Sequence, residues 1–150
     1  LSLRRQRQMC IRDRYVNDCI LKTLAGQLKS ERPLFLKIAY NGPKAMEELA
    51  SYDPKNLIVG ILGGGKGTTR DCFELISKSC KYGAKVALFG RKINLAEDQK
   101  LIVKTMRNVV NGMTSNEGVK FYHDQLKKKK IKPDKSLDKD LMITEKVLKL

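Results

Sequence analysis

Residues 56–69, NLIVGILGGGKGTT, decide the fold of this chain. The first half of the stretch is β-branched and almost wholly apolar, which is typical of a parallel strand covered on both faces. The second half gathers glycines, one lysine and two threonines immediately before a helical segment at residues 69–83. The stretch therefore predicts a strand, a glycine loop at residues 63–69 and a helix in direct succession.

The same order of elements recurs on both sides of this stretch. Residues 34–40 have strand character and precede a helical pattern at residues 44–52, while residues 85–90 precede a longer helical pattern at residues 95–111. A further amphipathic helix is predicted at residues 15–30. Strands and helices that alternate in this way predict a parallel sheet with right-handed crossovers, either open or closed into a barrel.

Local signals predict where these helices begin and end. Thr68 or Thr69 can cap the helix after the glycine loop, because a hydroxyl there accepts a hydrogen bond from a free N–H of the first turn. Asn94, with Glu97 three residues on, predicts the start of the last of these helices, and Gly112 predicts its end. Each strand is thus expected to lead through a short loop into a capped helix.

Lys37 is the candidate catalytic residue of the first strand. Alternation places Phe35, Lys37 and Ala39 on one face of the strand. The opposite face carries four apolar side chains, expected to meet the helices: Leu34, Leu36, Ile38 and Tyr40. Lys37 would then point into the interior of a barrel, where loss of solvation favours a neutral amine that can form a Schiff base with a carbonyl substrate. A solvated lysine on an edge strand, or a lysine paired with an acid, is the alternative.

Phosphate binding is expected at the ends of the second and third strands, since ligands of parallel α/β folds lie at the carboxyl ends of strands. Glycine N–H groups approach an anion closely, and a helix N-terminus adds partial positive charge. The candidate phosphate-binding residues are Gly63, Gly64, Gly65, Lys66, Gly90 and Arg91. A structural tight turn is the alternative for the glycine loop.

The glycine loop also comes close to the P-loop pattern G-x-x-x-x-G-K-[ST] of nucleotide-binding proteins. Gly60, Gly65 and Lys66 match it, but Gly67 stands where the magnesium-binding hydroxyl belongs, and Thr68 comes one residue late. The third strand also ends without the acidic residue that would organise the metal. These differences argue against nucleotide hydrolysis.

The net charge of +15 raises the question of nucleic-acid binding, so the distribution of that charge matters. Residues 1–14 carry +4 of it and residues 127–150 carry +5. Charge runs near the ends of a chain are usually solvated, so we do not expect a nucleic-acid partner.

The chain has no membrane or metal signature in its sequence. No apolar run approaches the roughly 20 residues that span a bilayer, and the first residues are too basic for a secretory signal. We therefore expect a cytoplasmic protein without membrane contact. The four cysteines are too far apart for a C-x-x-C site, so we interpret them as reduced thiols and expect neither a metal nor a cofactor.

Three segments are distinguished along the chain. Residues 1–14 show no helical or strand periodicity and resemble translated adaptor sequence, so they are left out of fold reasoning. Residues 15–130 hold the strand and helix units and end in a surface helix, where His123 is interpreted as a surface histidine. Residues 131–150 form a polar extension with one apolar cluster that can dock onto the rest.

Taken in order, three segments resemble part of an enzyme family. LKIAYNG with Lys37, GGGKGTTRDCFEL from Gly63, and YGAKVALFGRKI from Tyr82 are similar to the sixth, seventh and eighth strand regions of class I aldolases of the deoxyribose-phosphate and archaeal-type fructose-bisphosphate group. The resemblance covers about eighty residues. Its best-matched positions are Gly63, Gly64, Lys66, Gly90 and Arg91.

The resemblance implies that residues 15–130 are the C-terminal part of a truncated TIM (β/α)₈ barrel, since a whole barrel needs roughly 250 residues. It also implies a Schiff-base aldolase-like lyase that acts on a phosphorylated sugar or small carbonyl compound, with Lys37 as the catalytic lysine. The parent protein is expected to be a homo-oligomer. Because the first half of the barrel is missing, the chain itself is expected to be inactive.

One position leaves the identity of the nucleophile open. The lysine of deoxyribose-phosphate aldolases falls near Lys37. In the archaeal-type fructose-bisphosphate enzymes the strand reads K-x-K-Y-T-G, and its second lysine, the nucleophile, falls on Ala39. If Ala39 holds the nucleophile position, a noncatalytic phosphosugar-binding protein is the alternative.

Overall fold

A computed structural model describes residues 15–63 and 65–149 of the chain. It contains three parallel strands in one sheet: β1 Phe35–Ile38, β2 Ile58–Leu62 and β3 Val86–Leu88. The sheet order is β1-β2-β3, so each strand pairs with its successor along the chain. The prediction of an α/β fold with a parallel sheet is confirmed. Over the described residues the sheet is open, with β1 and β3 at its edges.

Seven helices accompany the sheet in the described part of the chain. In chain order they are α1 (residues 15–25), α2 (Pro43–Tyr52), α3 (Thr69–Lys81), α4 (Arg91–Asn94), α5 (Gln99–Val110), α6 (Ser115–Lys128) and α7 (Leu137–Asp140). Short 3-10 turns lie at Lys29–Glu31 and Lys146–Lys149. No helix among these is both long enough and apolar enough to cross a membrane.

The first hydrophobic cluster covers one face of the sheet. Val59 and Ile61 of β2 are buried there against residues of α1 and α2, among them Leu24 and Leu49. Leu36, Ile38 and Tyr40 join this cluster as predicted. Leu34, also predicted to face the helices, is exposed, because β1 begins only at Phe35.

The second hydrophobic cluster lies between α3, α5 and α6. Its buried members include Phe73 of α3, Ile102 of α5 and Tyr122 of α6. On each of these helices, buried members recur three or four residues apart, which places them on one face. Phe89, just after β3, packs against both clusters. The two clusters are therefore joined at the carboxyl end of the sheet.

The helix after β3 does not begin where the sequence predicted. Asn94 ends the short helix α4, and α5 begins at Gln99 with Asp98 as its cap, whose side chain accepts a hydrogen bond from the N–H of Leu101 at 2.9 Å. The prediction of a capping box formed by Asn94 and Glu97 is wrong. Glu97 instead accepts a hydrogen bond from the hydroxyl of Tyr122 at 2.9 Å, because α6 packs alongside.

Residues 141–149 dock against both α3 and the sheet. Leu148 is only 1% exposed and belongs to the first cluster, and Ile143 and Val147 pack against it. The N–H groups of Thr144 and Glu145 donate to the carboxylate of Asp71 in the first turn of α3. The apolar cluster of the C-terminal segment, by which we mean residues 131–149, is thus an integral part of the core.

Candidate anion site at the carboxyl end of the sheet

The loop after β2 and the turn after β3 meet at the N-terminus of α3. The ammonium of Lys92 in α4 lies 3.2 Å from the hydroxyl of Thr69, the first residue of α3. The N–H of Thr69 donates to the carboxylate of Asp140 at 2.7 Å, and the other oxygen of that carboxylate lies 2.9 Å from Nε2 of His123. We call Thr69, Lys92, His123 and Asp140 the Lys92 cluster.

The Lys92 cluster is buried. Lys92 is 7% exposed and Asp140 is 4% exposed. Burial lowers the pKa of Lys92 from its ordinary value, although the nearby Asp140 carboxylate acts in the opposite direction. Burial also opposes ionisation of Asp140, but its bonds with Thr69 and His123 and the charge of Lys92 outweigh this effect, so its pKa is lowered. The N-terminus of α3 therefore holds a carboxylate anion.

The helix α3 is capped within the chain. The hydroxyl of Thr68 accepts from the N–H of Asp71 at 3.0 Å, and the carboxylate of Asp71 accepts from the N–H of Thr68 at 3.1 Å. Of the two threonines that the sequence offered as caps, Thr68 takes this role and Thr69 faces the Lys92 cluster. Thr68 also donates to the carbonyl of Met142 at 2.8 Å.

The predicted phosphate-binding glycines play different roles. The N–H of Gly63 donates to the carbonyl of Leu88 at 3.0 Å, and a Cβ at Gly63 would lie 2.2 Å from the ring of Phe89. Gly63 therefore extends the sheet and permits close packing with Phe89, and its N–H is already bonded to β3. Gly64 lies outside the described residues. Gly65 is exposed, with open space beside its Cα.

Lys66 of the glycine loop is engaged by the C-terminal segment. Its ammonium forms an ion pair with Asp134, and the ammonium of Lys135 donates to the carbonyl of Gly67. The N–H of Asp134 donates to Glu97 at 2.9 Å, which fixes this segment over the loop. The cation that the sequence predicted for phosphate is thus present at the site, with a carboxylate as its partner.

Lys92, rather than Arg91, is the buried cation after β3. Gly90 and Arg91 are exposed at the start of α4. One residue later the helical turn has rotated by roughly 100°, which directs Lys92 towards α3. The local sequence does not single out Lys92, because the pattern predicts a helix only after Asn94, whereas α4 already begins at Arg91.

His123 is not a surface histidine, contrary to the sequence interpretation. Its side chain is 10% exposed and is held by Asp140. The missed signal is that Val119, Tyr122, His123 and Leu126 follow the spacing of one buried helix face. His123 lies at the border of this face.

Lys37 is exposed on the face of the sheet that no described helix covers. Its partner across the ladder is Gly60, and the ring of Phe35 lies over that glycine, where a Cβ would come within 2.7 Å of the ring. No described residue encloses Lys37, although the sequence predicted that it would lie inside a barrel. Its surroundings are those of the alternative, a solvated lysine on an edge strand.

Two cavities at opposite ends of the sheet differ in size. The cavity beside the Lys92 cluster has a volume of about 10 Å³, enough for a single water molecule. A cavity of about 350 Å³ lies near the amino ends of β1 and β2, with Arg32 and Tyr52 in its wall. The described residues hold no group of histidines, cysteines and acids suited to a metal ion.

The chain matches no protein family, no curated protein and no solved structure.

Proposed function

We propose that this chain is the phosphate-recognition part of a (β/α)₈ barrel of the class I aldolase type, acting on a phosphorylated sugar or small carbonyl compound. One observation carries the proposal. At the carboxyl end of the parallel sheet, the first N–H of α3, that of Thr69, and the ring of His123 hold the carboxylate of Asp140. The buried ammonium of Lys92 lies beside them, 3.2 Å from the hydroxyl of Thr69. A phosphoryl group presents the same kind of charged acceptor to these donors.

The uncovered face of the sheet supports the barrel part of the proposal. Phe35, Ile58 and Leu62 are exposed there, although apolar side chains on a sheet normally pack against something. In a closed barrel this face is the packed interior. Lys37 lies on the same face opposite Gly60, and the ring of Phe35 packs over that glycine.

Schiff-base trapping tests the catalytic part of the proposal. The protein is incubated with dihydroxyacetone phosphate, reduced with borohydride and mapped by mass spectrometry. The expected result is an adduct on Lys37 in preference to the other lysines, formed without aldol turnover by this chain. The adduct should be lost in Lys37→Arg and suppressed by inorganic phosphate, because both ligands share the phosphate site.

The second candidate function is noncatalytic phosphosugar binding. Two observations favour it: Lys37 is exposed, and Ala39 stands where the archaeal-type strand has its second lysine. Saturable binding of dihydroxyacetone phosphate without any adduct on Lys37 would establish this function and exclude the aldolase.

A further inference from the structure

The C-terminal segment covers the site with its own charges. Asp140 accepts the hydrogen bond from the N–H of Thr69, the donor that a bound phosphoryl oxygen would need. Its second oxygen is held by His123. An external anion cannot reach these donors while this carboxylate remains in place.

A second pair of contacts places the same segment over the glycine loop. Asp134 pairs with Lys66, and Lys135 donates to the carbonyl of Gly67. Residues 134–140 thus supply a carboxylate to a cation of the loop and another to the helix N-terminus. These are the two positive features that the loop and α3 offer to an anion.

The segment is anchored at both ends and exposed between them. At its start, the N–H of Ile131 donates to the carbonyl of Leu126, and the side chain packs against the second cluster. At its end, Met142 is bonded to Thr68, and Thr144 is bonded to Asp71. Six of the eight residues from 132 to 139 are exposed. The stretch can therefore lift from the site without undocking Leu148.

We propose that Thr69, Lys92 and His123 bind a phosphoryl group, and that residues 134–140 form an internal latch whose Asp140 carboxylate holds this position until a phosphorylated ligand displaces it. The inference rests on the proposed function and adds regulation of the same site. A phosphate monoester dianion brings more charge and more acceptor oxygens than a carboxylate, so it competes with Asp140 when its concentration is high.

The need to displace the Asp140 carboxylate lowers the affinity for a phosphorylated ligand by an amount that can be measured. A ligand that binds only the open state has its affinity reduced by the fraction of molecules that are open. If the latch is closed about nine-tenths of the time, removal of its charge strengthens phosphate binding roughly tenfold. Asp140→Asn removes that charge with little change in size. Asp138→Asn makes the same change in net charge at an exposed position of the same short helix, and is the matched control.

The test is calorimetric titration of the unmodified protein and both variants, once with inorganic phosphate and once with dihydroxyacetone phosphate. We expect Asp140→Asn to bind both ligands about tenfold more tightly than the other two proteins. Tighter binding of the ester than of inorganic phosphate identifies a phosphorylated small molecule as the occupant. Equal affinity in all three proteins overturns the latch and leaves the phosphate site standing. No binding by any of them at millimolar concentration overturns phosphate recognition itself.

Hydrogen exchange of the unmodified protein gives a second readout that needs no substitution. With saturating phosphate, amides of residues 132–141 are expected to exchange faster, while those of residues 142–149 keep their protection. Unchanged or slower exchange in residues 132–141 under saturating phosphate contradicts the latch, even if Asp140→Asn does not fold.

Discussion

At the residue scale, Gly63 and Gly65 of the glycine loop differ in what surrounds them. Gly63 has no room for a side chain, because Phe89 packs directly on it and joins both hydrophobic clusters. Gly65 has open space around it. The two glycines look alike in the sequence. They differ only in the structure, where the ring of Phe89 packs on Gly63 and not on Gly65.

Gly63→Ala is expected to lower the free energy of unfolding by about 1–3 kcal/mol, since the added methyl group forces Phe89 to move. Chemical denaturation checks this value. Gly65→Ala, measured alongside, should change stability by less than about 0.5 kcal/mol. Equal effects of the two substitutions would refute the packing role of Gly63.

Asp71 links the first turn of α3 to the C-terminal segment through an ionised carboxylate. Burial opposes its ionisation, but hydrogen bonds from Thr144, Thr68 and Glu145 outweigh burial and hold its pKa below the ordinary value of 3.8. The unfolded chain therefore binds a proton more readily than the folded one. The stability that Asp71 contributes is fully present above pH 3.8 and is lost as the pH falls through the lowered pKa.

We expect the unmodified protein to lose stability as the pH drops below about 4, and Asp71→Asn to show a shallower decline over the same range. At neutral pH the variant should be less stable by about 1–3 kcal/mol. The side-chain NH₂ group that replaces one carboxylate oxygen cannot accept the hydrogen bond that a backbone N–H donates there. Thermal unfolding followed at a series of pH values provides the comparison. Identical pH slopes in the two proteins would contradict this assignment.

At the element scale, α6 depends on its N-terminal cap. Thr114 and Glu117 form a capping box, in which the N–H of Thr114 donates to the carboxylate of Glu117 at 3.0 Å. This helix carries His123 and one wall of the second cluster. Its position therefore affects the Lys92 cluster as well as the core.

Thr114→Ala is expected to cost about 1 kcal/mol of stability, because the N–H of Glu117 loses its acceptor. Asn116→Ala, at an exposed position two residues later, serves as the control and should be close to neutral. Urea denaturation of the two variants distinguishes them, and a difference below about 0.3 kcal/mol would rule out an energetic role for the cap.

The elements were predicted better than the site. Periodicity and turn residues located α2, α3, α6 and all three strands, because these segments pack locally in the way their patterns require. Asn94 and Asp98 are both good caps, and the sequence could not choose between them. The Lys92 cluster draws its members from four helices, and a contact between Thr69 and Asp140 across 71 residues has no local signature.

At the scale of the whole molecule, the C-terminal segment holds the sheet and the helices together. Leu148 fills the first cluster, while the ammonium of Lys78 donates to its carbonyl at 2.8 Å. Leu141 packs against the second cluster. The segment that covers the candidate anion site is therefore connected to residues that stabilise the whole fold.

Leu148→Ala is expected to destabilise the protein by about 2–5 kcal/mol, because the side chain is fully buried and leaves a cavity. Met142→Ala, at a side chain that is 61% exposed, should cost much less. Calorimetric unfolding of both variants tests this. A similar, small loss in each would mean that the C-terminal segment contributes little to the stability of the fold.

Recognition of a phosphoryl group at the carboxyl end of the sheet can be followed residue by residue in a two-dimensional NMR titration of the isotope-labelled protein with dihydroxyacetone phosphate. We predict saturable shifts of the amide resonances of residues 65–69 and of Lys92, and none with unphosphorylated dihydroxyacetone. Shifts confined to the amides of the four lysines at residues 127–130, or no shifts at all, would rule out recognition of a phosphoryl group at this end of the sheet.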